Sequence, residues 1–173
     1  MEPFEKGGLV NSEIFNRIPA QSYEEAEALG RALVSGGPAT VGELVEMVGD
    51  EFGDPKGVKP KYALHAVAIY AARPGADGER KMVAETLAKE LEGKHSDELK
   101  AFVCRQLQLC GRKEEVPVLA KLLGSDRLCE PATQALLAIS GQPALAAVRA
   151  ALPGATGRRQ ATIRQAVDIL TSK

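Results

Sequence analysis

The stretch from Ser96 to Gly124 constrains the fold most, because apolar residues recur in it at helical spacing on both sides of one glycine. The apolar positions are Leu99, Phe102, Val103, Leu107, Leu109 and Cys110 before that glycine, and Val116, Leu119, Ala120 and Leu123 after it. This spacing predicts two short antiparallel helices joined by a tight turn at Gly111. One such pair cannot bury both of its apolar faces alone, so it needs further helices packed against it.

Three local signals set the limits of these two helices. The Ser96 hydroxyl is placed to cap the first helix, and acidic residues follow it where the helix dipole favours them. Gly111 is expected to end that helix in the left-handed conformation that glycine adopts at little cost. Pro117 falls in the first turn of the second helix, where a missing N–H leaves no helical hydrogen bond unmade.

Seven further helical segments are predicted on either side of this pair. They begin after Ser22, Pro38 and Gly78, and at or near Pro60, Arg127, Pro143 and Gly157. We place Tyr23 on the buried side of the first of them. The segment from Pro60 to Arg73 is apolar nearly all round, so we expect it to be buried, Ile69 included.

The amino-acid composition favours helices over strands. Aromatic residues make up only 4% of the chain and there is no Trp, while Ala, Leu and Val dominate the apolar residues. Runs of alternating β-branched and aromatic residues, which are typical of strands, are absent. We therefore predict an all-α fold, and a chain of 173 residues is long enough to bury a core.

Residues 1–21 lack clear helical periodicity but are too apolar for a free tail. Two interpretations stay open for them: an extended arm or short helix docked over the first repeat, or a leader without fixed structure. The predicted organisation is thus an N-terminal arm over residues 1–21 and a helical repeat domain over residues 22–173.

Two pairs of turn glycines indicate internal repetition. Gly141 follows Gly111 by 30 residues, and Gly154 follows Gly124 by the same separation.

Residues 116–123 (VPVLAKLL) and residues 136–141 (LLAISG) resemble the HEAT-repeat family (armadillo/HEAT-like) in its short bacterial form. The resemblance implies a right-handed α-solenoid of about four antiparallel helix pairs and a terminal helix. One feature departs from the family pattern. The turn aspartate is present as Asp126, but residues 130–132 (EPA) stand where a basic residue is expected early in the next helix.

No residues occur at spacings typical of catalysis or of a metal site. Neither His65 nor His95 has a partner at metal-ligand spacing, and neither is followed by Glu as in HEAT-type iron hydroxylases. We expect His65 to be a hydrogen-bonded packing residue and His95 to be solvated. The cysteines are expected to be reduced packing residues, because an odd number does not form a disulfide framework. The sequence therefore predicts no enzyme activity and no cofactor.

Charge is distributed unevenly, although the net charge is only −1. Residues 1–54 contain 11 acidic and 3 basic residues, whereas residues 55–173 contain 12 acidic and 19 basic ones. The simpler interpretation is two solvated surfaces of differing charge. The alternative is that the two ends of the molecule carry electrostatic fields of opposite sign, which orient a binding partner.

The predicted function is a non-catalytic scaffold that presents a curved helical surface to a protein or peptide partner. The resemblance implies that the second helix of each pair lines the concave side, so exposed residues of those helices are candidate contacts. They are Glu43, Glu46, Lys81, Glu85, Lys89, Lys121 and Arg149. The alternative is a nucleic-acid-binding module that uses basic residues of the C-terminal half, namely Arg112, Lys113, Lys121, Arg149, Arg158, Arg159 and Arg164. Few aromatic residues and a near-neutral net charge argue against that alternative.

No apolar run approaches the roughly 20 residues that span a bilayer, and no signal peptide is visible. We expect a monomer with no membrane partner. The cytoplasm is the default compartment, and export is expected instead if the chain is a trimmed form of a longer precursor.

Overall fold

The structure, a computed structural model, describes Val10 and residues 12–172. Within that part of the chain it is helical and contains no strand, which confirms the all-α prediction. The helices are α1 (Ser12–Asn16), α2 (Tyr23–Ser35), α3 (Gly37–Val48), α4 (Val58–Ala71), α5 (Asp77–Glu92), α6 (Asp97–Cys110), α7 (Val116–Leu122), α8 (Cys129–Ile139), α9 (Gly141–Ala151) and α10 (Gly157–Thr171). Single 3₁₀ turns precede α4 and α7 and follow α9. None of the described helices is both long enough and apolar enough to cross a lipid bilayer.

The chain divides into two compact units, and each is described by itself. The first unit ends at Leu87 and the second begins at Ala88, so the boundary lies inside α5.

In the first unit, α2 and α3 pack against α4 and against each other. Just before α2 begins, the Ala20 N–H donates to the Tyr62 hydroxyl at 3.3 Å, and further along both helices Gly30 lies against Tyr70, so α2 and α4 run in the same direction. A Cβ at Gly30 would come within 2.6 Å of the Tyr70 Cβ, so glycine permits this close approach. The core consists of aliphatic side chains, among them Leu29, Leu33, Val41, Leu44, Val45, Leu64 and Val67.

The short helix α1 is docked on the first unit. Its Phe15 side chain is buried, and the Lys59 Nζ donates to the Phe15 carbonyl oxygen at 2.9 Å. Just before α1, the Val10 N–H donates to the Glu43 carboxylate at 3.1 Å. The described part of the segment 1–21 therefore contains a packed short helix, and the rest of that segment lies outside the described residues.

In the second unit, α6 packs against α8 and α8 packs against α10. The helix α7 packs against α8 and α9, and α9 also packs against α10. Near the helix starts the Arg127 Nη1 donates to the Glu98 Oε1 at 3.1 Å, and beyond the C-terminal end of α6 Gly111 lies against Ile139, the last residue of α8. The helices α6 and α8 therefore run in the same direction.

Local signals in the sequence predict the starts of α2, α6 and α7 correctly. The Ser96 Oγ accepts the Leu99 N–H at 3.2 Å, and the Ser22 Oγ accepts the Glu25 N–H at 3.2 Å. Pro117 lies in the first turn of α7, as expected. These contacts span three residues at most, so local sequence is enough to predict them.

The predicted conformation of Gly111 is wrong. Gly111 is extended, with φ −61° and ψ 156°, whereas Gly141 is left-handed with φ 78° and begins α9 two residues before the predicted start at Pro143. Gly111 and Gly141, one of the two glycine pairs at a separation of 30 residues, therefore have different conformations. A Cβ at Gly111 would clash with the Leu107 carbonyl oxygen and come within 3.1 Å of the Ile139 Cδ1. Glycine is favoured there because a Cβ would meet the Leu107 carbonyl oxygen of the preceding helix, and the end of α8 narrows the space further.

Candidate interaction surfaces

The predicted contact residues of the first unit differ in their surroundings. Lys81 and Glu85 lie one turn apart on an exposed face of α5, with their charged atoms 4.0 Å apart. Glu46 is exposed on α3. Glu43 is half-buried, and its carboxylate accepts the Val10 N–H. The structure therefore brings Lys81 and Glu85 together, and it gives Glu43 a role in holding the N-terminal segment.

The predicted contact residues of the second unit are exposed on three helices. The Lys121 Nζ on α7 donates to the Glu92 Oε1 on α5 at 2.6 Å, and this hydrogen bond lowers the pKa of the Glu92 carboxyl. The Arg149 Nη2 on α9 donates to the Thr171 hydroxyl on α10 at 3.1 Å. Lys89 lies on the exposed side of α5. Lys121 and Arg149 thus already bind groups on neighbouring helices.

A row of ion pairs links the starts of α6, α8 and α10. Arg127, just before α8, binds Glu98 in the first turn of α6 at 3.1 Å. Arg159, in the first turn of α10, binds Asp126 before α8 at 2.8 Å. Asp126 therefore has a basic partner, but that partner lies 33 residues further along instead of in the next helix.

These ion pairs border a groove of about 550 Å³ at the N-terminal ends of α6, α8 and α10. The groove also contains the charged residues Asp97, Glu130 and Arg158, and Cys129 lies in its wall. Burial raises the pKa of the Cys129 thiol, which disfavours a nucleophilic thiolate. The groove is therefore lined by charged side chains of both signs.

Several basic residues of the nucleic-acid alternative bind carboxylates. The Arg112 Nη2 binds the buried Glu115 carboxylate at 3.2 Å, and Arg159 and Lys121 form the ion pairs described above. A nucleic-acid phosphate would have to compete with these carboxylates. This pairing disfavours the alternative.

Apolar side chains are exposed along one face of α4. Val58, Tyr62 and Ile69 are 61%, 36% and 53% exposed, and exposed His65 completes their i, i+4, i+7, i+11 spacing. We call these four residues the α4 row. The predictions that α4 is buried nearly all round and that His65 is a packing residue are wrong, because α2 and α3 cover only part of the helix surface.

The start of α2 extends this exposed surface. Tyr23 is 80% exposed, contrary to its predicted burial, because the apolar packing of α2 begins further along the helix. Among the described residues, four of the five exposed large apolar side chains lie on α2 and α4, and the fifth is Leu109 on α6, at 37% exposure. Such a concentration is typical of an interaction site.

Exposed acidic side chains occur in the first two turns of α2. They are Glu24, Glu25 and Glu27, and the Glu25 carboxylate accepts the Gln21 N–H at 2.7 Å. Arg31 binds Glu27 at 2.8 Å, and a hydrogen bond to Tyr70 of α4 raises the pKa of Arg31. The side of α2 that carries Glu27 therefore borders α4. The pKa of Glu24 is lowered by backbone hydrogen bonding at the helix start and by the Ser22 hydroxyl, so Glu24 is charged at neutral pH.

The remaining histidine and the cysteines have well-defined surroundings. His95 is half-buried with its Nε2 3.0 Å from the Glu90 Oε2, so the expectation that it is solvated is wrong. All three cysteines are free and buried, as predicted. Burial raises the pKa of Cys104 to about 12, so this thiol stays protonated near neutral pH.

Comparison with models of protein families and with curated proteins gives no match. The functional conclusion therefore depends on the surfaces described above.

Proposed function

We propose that this chain is a non-catalytic scaffold that binds a protein or peptide partner through exposed helical surfaces. The observation that carries the proposal is the exposure of the α4 row. Apolar area left in water costs free energy that a partner recovers by covering it. The spacing of the row is that by which one helix anchors on another.

We further infer a HEAT-like, right-handed α-solenoid. Nine described helices follow α1, the number that four helix pairs and a terminal helix require. The helices α6, α8 and α10 begin at residues 97, 129 and 157, so their starts are 32 and 28 residues apart. Within each unit, the shared direction of α2 with α4 and of α6 with α8 is the direction expected of successive first helices in such a solenoid.

The exposed residues of α5 are a further part of this proposal. Lys81, Glu85 and Lys89 alternate in sign at four-residue spacing and are all exposed. These charges would fix the orientation of a bound partner more than they would strengthen its binding, because charge complementarity contributes more to specificity than to affinity.

Affinity capture with matched baits tests the proposed function. We expect a protein that is retained by the wild-type chain and by Leu109→Glu but lost with Ile69→Glu, because only the last substitution places a charge in the α4 row. Circular dichroism would establish that both variants are folded. If every captured protein is retained equally by the Ile69→Glu bait and the Leu109→Glu bait, the α4 row is not the binding surface. Steeply salt-dependent DNA or RNA binding in a filter assay would favour the alternative function instead.

A further inference from the structure

The chain holds a short segment of its own against α3 and α4. Val10 and residues 12–20 form this docked segment, and the acceptor surface that holds it includes Glu43 on α3 and Lys59 and Tyr62 on α4. We propose that the acceptor surface is a peptide-binding site, which the docked segment occupies until a partner segment of the same chemistry displaces it. This inference goes beyond the proposed function, because it concerns a surface that is already covered, whereas the α4 row, with which it shares Tyr62, is exposed.

The acceptor surface holds the docked segment by its backbone. The Glu43 carboxylate accepts an N–H at the start of the segment, and the Tyr62 hydroxyl accepts another N–H near its end. Between these two, the Lys59 Nζ donates to a carbonyl oxygen in the last turn of α1. Every residue offers a C=O and every residue except proline an N–H, so segments of different sequence can make these three hydrogen bonds. The three side chains therefore recognise a peptide as such, and not one particular sequence.

Buried apolar side chains give the docked segment its specificity. Val10, Phe15 and Ile18 are buried, whereas Glu13 and Arg17 between them are exposed. Phe15 and Ile18 are three residues apart, so a helical turn brings their side chains to the same side. A partner segment that replaces these contacts needs apolar side chains at i, i+5 and i+8, the second of them aromatic.

The docked segment depends on the acceptor surface for its structure. The helix α1 has five residues, and isolated helices shorter than about 12–15 residues are marginal in water. Its helical form is therefore maintained by contacts with the rest of the first unit. The buried aliphatic side chains of α2, α3 and α4 build the core of that unit, so the docked segment can leave by local opening while the core stays folded.

The same segment of a second copy fits the acceptor surface less easily than a free partner segment does. Gln21 alone separates Ala20 from Ser22, the N-cap of α2, and the Gln21 N–H is bound by the Glu25 carboxylate at 2.7 Å. A segment exchanged between two copies would therefore force their first units into close contact. Such an exchange is an outcome of the experiment below.

The test uses the full chain and a fluorescein-labelled peptide with the sequence of residues 9–21. The undocked variant combines Phe15→Ala with Ile18→Ala, and its matched control combines Glu13→Ala with Arg17→Ala at exposed positions of the same segment. Binding is measured by fluorescence anisotropy, and circular dichroism establishes that both variants are folded. We expect the undocked variant to bind the peptide at least about tenfold more tightly than the wild-type chain or the control, because its own segment has left the site.

Two further measurements locate the binding. Adding Lys59→Ala to the undocked variant should weaken peptide binding at least about threefold, because one hydrogen bond to the peptide backbone is lost. A peptide in which Phe15 and Ile18 are replaced by Ala should bind at least about tenfold more weakly than the original. Failure of the undocked variant to bind the peptide, or equal binding by all the proteins, would overturn the inference. A wild-type dimer that the undocked variant does not form would also overturn it, because a second copy would then be the occupant.

Native-state hydrogen exchange of the wild-type chain tests the opening step even if the undocked variant does not fold. The N–H groups of Arg17 and Ile18 donate to carbonyl oxygens one turn earlier, at 3.1 and 3.2 Å. We expect these amides to exchange at least about tenfold faster than the buried amides of α4, after correction for intrinsic rates, because they open without global unfolding. Exchange of both groups only through global unfolding would overturn the inference, and the α4 row would still be tested separately by Ile69→Glu.

Discussion

Arg159 donates from its Nε to the Asp126 carboxylate at 2.8 Å and thereby ties the first turn of α10 to the segment before α8. The residues are 33 positions apart, so the pair forms only when α8 and α10 lie side by side. The Arg159 side chain is only 19% exposed, although its partner Asp126 is exposed, whereas both side chains of the Arg127–Glu98 pair are exposed. Two ion pairs of similar length thus differ in their surroundings.

The variant Arg159→Ala should lower the free energy of unfolding by about 1 kcal/mol, because it removes a packed aliphatic stem as well as a charge. The matched variant Arg127→Ala should change it by less than about 0.5 kcal/mol, since exposed ion pairs contribute little. Urea denaturation of both variants measures the difference. Equal losses would contradict the argument from burial.

Leu107→Ala and Leu136→Ala should each destabilise the protein by roughly 2–5 kcal/mol, the usual effect of removing a fully buried leucine side chain. Both side chains have no exposed surface, and they lie on the mutually packed helices α6 and α8. Gln108→Ala, at an exposed position of α6, is the control. Denaturant midpoints unchanged within error for either leucine variant would show that its helix is wrongly oriented.

Gly111→Ala should cost about 1–3 kcal/mol, because the new Cβ would press on the Leu107 carbonyl oxygen and on Ile139. Gly154→Ala is the matched control, since a Cβ there meets no atom within 4 Å. Thermal unfolding of the two variants compares them directly. A neutral Gly111→Ala variant would mean that Gly111 lies further from the Leu107 carbonyl oxygen and from Ile139 than the structure places it.

Stability should fall as pH rises above about 9, partly because of Cys104. Burial raises its pKa from 9.0 to about 12, so between these values the unfolded thiol loses its proton while the folded one keeps it. The contribution of the Cys104 thiol to the free energy of unfolding is largest below pH 9, and it declines by up to about 1.4 kcal/mol per pH unit above that pH. Denaturation of wild type and Cys104→Ala at pH 8, 9 and 10 tests this. The variant should show the shallower decline, and parallel curves would refute the assignment.

Deleting residues from Gly157 onward should reduce stability and promote aggregation. The helix α10 packs against α8 and α9 and buries Ile163, Ala166 and Leu170, while its opposite face carries exposed polar residues such as Arg164 and Asp168. A terminal helix with one buried apolar face and one polar face acts as a cap for the helices beneath it. Size-exclusion chromatography and thermal unfolding of the truncated chain measure both effects. A truncated chain that stays monomeric and equally stable would rule out this capping role.

The sequence by itself determined the all-helical fold and the capped starts of α2 and α6. Helical spacing and capping depend on residues within four positions of each other, so they can be read along the chain. The odd number of cysteines predicted separately that they are unpaired, and all three are free and buried in the structure.

Only the tertiary structure decided which faces of the helices remain open. The sequence of α4 is apolar nearly all round, so its pattern cannot show that Val58, Tyr62 and Ile69 stay exposed; that depends on where α2 and α3 pack. The sequence likewise does not show that Arg159 is the partner of Asp126, because the helices α8 and α9 separate the two residues along the chain. Burial and long-range pairing arise from packing between segments distant in sequence, and this packing created the surface on which the proposed function depends.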